Sequence, residues 1–124
     1  MIERRKCKRF KIPGTRLSFK VRSLFLKRKY TEECFPTGDI SKGGLMFSNY
    51  KPFKKNARIS MKIFIPGEED PWIMRGRVRW IMLSPGMSYR YKVGIEFDPY
   101  GKDKRSNNPI YLEKLRDLEE KYSL

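Results

Sequence analysis

A chain of 124 residues, 39% hydrophobic and 14% aromatic, carries enough apolar material for one compact core, which excludes both wholesale disorder and a two-domain layout. Lysine and arginine number 29 against 14 acidic residues, and the net charge of +15 favours an anionic partner: nucleic acid, a membrane surface or a phosphorylated ligand. The excess is concentrated in residues 1–30, which hold twelve of the cations and a single acid, Glu3.

In chain order, residues 1–14 form a basic arm containing "ERRKCKRF". Leu17, Phe19 and Val21 then alternate with Ser18, Lys20 and Arg22, the period-two signature of a half-buried strand, with a continuation through Leu24 and Leu26. The charged stretch "KRKYTEE" reads as a loop and "GDISKGG" as a turn, followed by a short strand at Leu45–Ser48. Ala57, Ile59, Met61, Ile63 and Ile65 alternate with polar residues except at Phe64, which predicts one apolar spot on the outer face. "PGEEDP" is a solvated hairpin loop leading to Trp72–Leu83. There Trp72, Met74, Gly76, Val78 and Trp80 share one face and Arg75, Arg77 and Arg79 the other. This puts Trp80 in the core; a stacking surface for a base is the alternative. After "SPGMS", Tyr91, Val93, Ile95 and Phe97 again alternate. Asn108-Pro109 resembles an N-cap followed by proline at the first helical position, and Tyr111, Leu115, Leu118 and Tyr122 recur at helical spacing.

The expected fold is therefore mainly β: a small antiparallel, six-stranded split β-barrel over residues 15–100, with a C-terminal segment 101–124 holding a helix at about 109–122. Catalysis has little support. There is no histidine, and no nucleophile–base pair, metal set or phosphate-cradling P-loop is visible. Cys7 and Cys34 form no CxxC pair and read as reduced thiols in a cytoplasmic protein, with no signal peptide or membrane-inserting run.

Two pieces call for a joint explanation. Arg5-x-x-x-Arg9, preceded by Arg4, stands ahead of Asp39-x-Ser41-x-x-Gly44. In this order and at about this spacing, the pair resembles the signature of the PilZ domain, a bacterial receptor for cyclic di-GMP. "RGRVRW" (Arg75–Trp80) and "KVGIEF" (Lys92–Phe97) resemble that family's last two barrel strands, so the likeness covers roughly residues 3–100. The resemblance implies that Arg5 and Arg9 take phosphate, guanine edge and stacking contacts. It gives Asp39 and Ser41 to a guanine's polar edge, Gly44 to backbone geometry, and Arg4 to a contact made when two ligand molecules bind intercalated. The chemistry suits those residue types. Arginine grips phosphate bidentately and stacks on purines, a carboxylate complements guanine's donor edge, and glycine admits close backbone approach.

The leading expectation is a stand-alone, non-enzymatic second-messenger receptor with cyclic di-GMP as ligand and no cofactor or metal. Binding would order the N-terminal arm and signal to an unidentified effector protein, the chain itself being a monomer or homodimer. A basic β-barrel that binds nucleic acid is the alternative, less favoured because phosphate-driven binding gives no reason for the D-x-S-x-x-G turn. A PilZ-type adaptor that does not bind the nucleotide is the third reading.

Overall fold

The computed structural model describes residues 8–23 and 27–122, so Arg4, Arg5 and Cys7 of the basic arm and the expected continuation through Leu24 and Leu26 lie outside the described residues. Six strands, β1 (Arg16–Val21), β2 (Phe35–Ser41), β3 (Gly44–Asn49), β4 (Arg58–Phe64), β5 (Trp72–Leu83) and β6 (Tyr91–Phe97), precede one helix, α1 (Pro109–Tyr122). Every neighbouring pair is antiparallel, and the order β1-β2-β3-β6-β5-β4 closes on itself through β1 and β4. The barrel with its C-terminal helix is the expected architecture.

The alternating residues do what period two requires. Leu17, Ile59, Met61, Ile63, Met74, Val78 and Val93 are buried and fill the interior, while their neighbours along each strand face out. One end of the barrel is closed by an aromatic cluster in which Phe19 contacts Phe35, Phe47 and Phe53 with ring centroids 5.1–5.5 Å apart. The other end is covered by α1. Its apolar stripe sends Leu115 into the core with no exposed surface, and Tyr111 stacks on Trp72 at 5.1 Å. Asn108 caps the helix, its Oδ1 accepting from the Ile110 N–H at 3.0 Å.

The loop read as solvated, "PGEEDP", is in fact tied to this helix. Glu68 Oε1 accepts from Trp72 Nε1 at 2.9 Å and from Lys114 Nζ at 2.6 Å. The Lys114 ammonium and the Trp72 N–H together hold the Glu68 carboxyl below its ordinary range.

Two sequence expectations are corrected. "GDISKGG" is not a broad turn: Gly38–Ser41 continues β2, and only Lys42 and Gly43 lie between the paired residues Ser41 and Gly44. Trp80 is not in the core. β5 carries a bulge, since Val78 pairs with Ile95 and Trp80 with Gly94, leaving Arg79 as an extra residue on its strand. The extra residue reverses the inside–outside phase, so Trp80 emerges on the outer face with 36% of its surface exposed. Ile81 then packs toward the core in the place that strict alternation would have given to Trp80.

The segment ahead of β1 is part of the same body. β1 and β2 pair at only two positions, Arg16 with Pro36 and Leu17 with Phe35. Beyond them the edge of β2 is covered by Phe10, whose N–H donates to Ile40 O at 2.9 Å and whose carbonyl accepts from Ile40 N–H at 2.8 Å. Phe10 and Ile12 are each 4% exposed, so the basic arm is built into the core from Phe10 onward.

Candidate functional site

The Phe10–Ile40 bridge sets the site's geometry. In an antiparallel bridge the flanking residues also face one another, so Arg9 comes opposite Ser41 and Lys11 opposite Asp39. Residues that stand thirty positions apart in the chain thus meet at one seam. Arg9, Asp39 and Ser41 line a concave surface of about 500 Å³, within the range of small-molecule sites, together with Gly43, Gly44, Met46, Arg79, Trp80, Met82, Gly94 and Glu96. Of the six residues expected from the sequence, Arg9, Asp39, Ser41 and Gly44 are brought together here; Arg4 and Arg5 lie outside the described residues.

The four play different parts. Arg9 is exposed, with a free guanidinium as far as the described residues go. Asp39 is half-buried and makes no hydrogen bond or ion pair with any described residue, which leaves both carboxylate oxygens as acceptors. Ser41 is engaged already: it is 8% exposed, and its Oγ accepts from the Gly43 N–H at 3.1 Å, pinning the two-residue turn. Gly44 is needed because β3 and β6 approach so closely that a Cβ there would meet the Ile95 carbonyl. The turn is fixed from two more directions. Phe97 N–H donates to Gly43 O at 2.8 Å, and Tyr100 Oη donates to Lys42 O at 2.7 Å.

Sequence reasoning missed the other wall. Met46 on β3, Gly94 on β6 and Trp80 on β5 are in register and form one row across the outer face. Since Gly94 has no side chain, the indole lies over it, and any Cβ at that position would enter the ring. Beside this floor stand Arg79, 3.8 Å from Glu96, and Arg77, 3.1 Å from Glu96. Only the bulge brings Trp80 to this surface, and no local signal in "RVRW" announces it. Among the described residues there is no group of three or more His, Cys, Asp or Glu able to hold a metal ion.

A cation, a carboxylate with no partner among the described residues, an indole platform and a backbone turn with open approach form a set suited to a ligand with phosphate and purine groups. The family model for the PilZ domain matches residues 3–107, most of the chain and all six strands. The chain belongs to the PilZ domain family. PilZ domains are regulatory binding domains of the cyclic di-GMP receptor family rather than enzymes. Comparison with curated proteins finds no match. Among solved structures, this PilZ chain is similar to Bacillus subtilis inhibitor of motility (MotI/DgrA), with a TM-score of 0.68 at 17% identity. The alignment covers 94% of this chain and 50% of that one, so the PilZ chain spans about half of the length of its structural neighbour. At that identity the likeness is one of fold. No helix among the described residues is long and apolar enough to cross a membrane.

Proposed function

We propose that this domain binds cyclic di-GMP at the Arg9–Asp39 seam and passes the binding event to a partner protein. The observation that carries the reading is the meeting of Arg9, Asp39 and Trp80 on one concave surface, through a main-chain bridge and a strand bulge that the motif alone does not contain. Arg9, with Arg5 ahead of it, takes a phosphate and stacks on a purine; Asp39 accepts from the N1 and N2 donors of guanine. Trp80 offers its face to a base, and Arg79 can swing from Glu96 toward a phosphate. Ser41 and Gly44 act by shaping the turn. The arm's signalling change is confined to residues ahead of Phe10, because Phe10 and Ile12 are already core residues.

The experiment is isothermal titration of the protein with cyclic di-GMP and cyclic di-AMP at physiological salt, beside Arg9→Ala and Asp39→Ala. Saturable binding to the guanine form is expected, weakened about ten- to a hundredfold in each variant, the worth of one charge-assisted contact at about 1.5–3 kcal/mol. The stoichiometry distinguishes one bound ligand from an intercalated pair. Heat that is equal for both nucleotides and fades with salt would overturn the reading in favour of a general polyanion surface. No heat with either nucleotide would favour an adaptor acting through protein contacts alone.

A further inference from the structure

Beyond Glu96 and Arg77, the outer face of β1, β4 and the first half of β5 carries a second cationic surface that the nucleotide reading does not use. Register places its members. On the outer face of β1, β4 and β5, Lys20 lies beside Ser60 and Arg75, and Ser18 beside Lys62 and Ile73. Arg58 pairs with Arg77, and Arg22 N–H donates to Arg58 O. Five cations, Lys20, Arg22, Arg58, Lys62 and Arg75, therefore share one continuous patch bordered by Arg77, and the exposed Lys27, Arg28 and Lys29 immediately precede Tyr30, which packs on it.

Little on the protein neutralises this charge. Among the described residues Arg77 has Glu96 at 3.1 Å and Arg22 has Asp98 at 3.9 Å, while Lys20, Arg58 and Lys62 have no carboxylate within 4.0 Å. Instead, the ammonium groups of Lys20 and Lys62 converge on the ring of Tyr30, at 4.7 and 4.6 Å from its centroid. Burial raises the Tyr30 hydroxyl above its ordinary range, and the nearby Arg75 charge opposes that rise. Holding like charges this close costs free energy that an external anionic surface would recover.

The shape and the rim select among anionic partners. The patch spans three adjacent strands of the barrel wall, a surface that can lie tangentially on a plane. At the edge of the patch Phe64 is 39% and Ile73 45% exposed, and the two are diagonal neighbours on adjacent strands. Apolar side chains beside a basic field match the interface of an anionic bilayer, where cations meet headgroups and apolar tips enter the acyl boundary. A phosphodiester backbone offers nothing to those tips.

From these features we infer that the outer face of β1, β4 and the first half of β5 docks on anionic phospholipid surfaces, leaving the Arg9–Asp39 seam along β2 and β3 open to the nucleotide. The inference does not rest on the identity of the nucleotide. Its test is co-sedimentation of the whole protein with phosphatidylcholine vesicles containing 30% phosphatidylserine, and with pure phosphatidylcholine vesicles, in about 0.1 M salt, where the Debye length is about 10 Å. Binding to the anionic vesicles only is expected, reduced at least about tenfold by Lys20→Glu/Lys62→Glu and by raising the salt to about 0.5 M. The arm control Lys8→Gln/Lys11→Gln should lose less than about threefold. Phe64→Ser/Ile73→Ser should remove the part of binding that survives high salt. An unchanged melting curve and far-ultraviolet circular dichroism spectrum show that each variant is folded. No binding to anionic vesicles would overturn the inference. So would unchanged binding by the Lys20/Lys62 double variant, which would locate the attraction in the arm. Displacement from the vesicles by an equimolar oligo-dT would overturn it too, naming nucleic acid as the partner.

Discussion

Asn107→Ala should unfold the domain about 10 °C earlier than the parent. Asn107 is 2% exposed and sits where β6 has ended, filling the place of a missing ladder rung. Its Oδ1 accepts from the Arg75 N–H at 2.8 Å, and its Nδ2 donates to Arg75 O and to Asp98 O, both at 2.9 Å. Its own main chain donates to Pro99 O and accepts from Gly101 N–H, which holds the loop that leads to α1. Three buried bonds at a net of about 1 kcal/mol each, with the Arg75 N–H left without an acceptor, give a loss of about 3 kcal/mol. In a domain of this length each kcal/mol moves the midpoint by about 3–5 °C. Thermal unfolding followed by circular dichroism reads the effect. Asn107→Asp should fall at least as far at neutral pH, because it keeps the acceptor but turns an anionic oxygen toward two carbonyls. A shift below about 3 °C for the alanine variant would refute the reasoning and make the side-chain rung dispensable.

Trp80→Ala should weaken cyclic di-GMP binding by about five- to a hundredfold, the worth of one stacked base at about 1–3 kcal/mol. Its melting point should fall less than that of Trp72→Ala, whose ring is 2% exposed and whose loss costs about 3–5 kcal/mol. Equal melting losses would return Trp80 to the core. Tyr100→Phe deletes the 2.7 Å bond to Lys42 O and should reduce nucleotide affinity about three- to tenfold in titration; an unchanged affinity would mean that Ser41 and Phe97 hold the turn unaided. Glu68 binds its proton less readily in the folded protein than in the unfolded chain, where a carboxylate titrates near about 4.3. Its tether to Lys114 and Trp72 therefore contributes fully above that pH and is lost as acid protonates it. The melting-point gap between the parent and Glu68→Gln should be present at pH 7 and close toward pH 3, and a gap independent of pH would exclude the tether.

Hydrophobic alternation made β1, β4, β6 and the first half of β5 legible, because each shows one face to the core along its length. β2 was hidden by its composition. Pro36, Gly38 and Asp39 read locally as turn formers, and the strand exists because partners distant in sequence, Arg16, Phe47 and Phe10, supply its pairs. The bulge at Arg79 was illegible for a related reason: it belongs to the pairing of β5 with β6 and leaves no mark in β5 itself. Extrapolating the period past Val78 consequently buries Trp80. In the site, Arg9, Asp39, Ser41 and Gly44 were visible as motif residues. Arg79, Met46 and Gly94 were not, since strand order alone makes them neighbours. The resemblance gave Ser41 a contact with a guanine edge; what it did not announce is that the Ser41 hydroxyl also accepts from the Gly43 N–H and shapes the turn.

The double hydrogen bond between Phe10 and Ile40 has a consequence for engineering. Arg9 and Asp39 are each one residue from a rung that locks them across the seam, so the loop between β1 and β2 does not set their separation. The β1–β2 connection is thus a natural place to splice in a reporter or a second domain. Such an insertion after Arg28 would leave the nucleotide seam assembled while displacing the Lys27–Lys29 stretch that precedes Tyr30 on the second cationic surface. One chimera would then separate two activities that point mutations, in a protein this densely charged, would alter together.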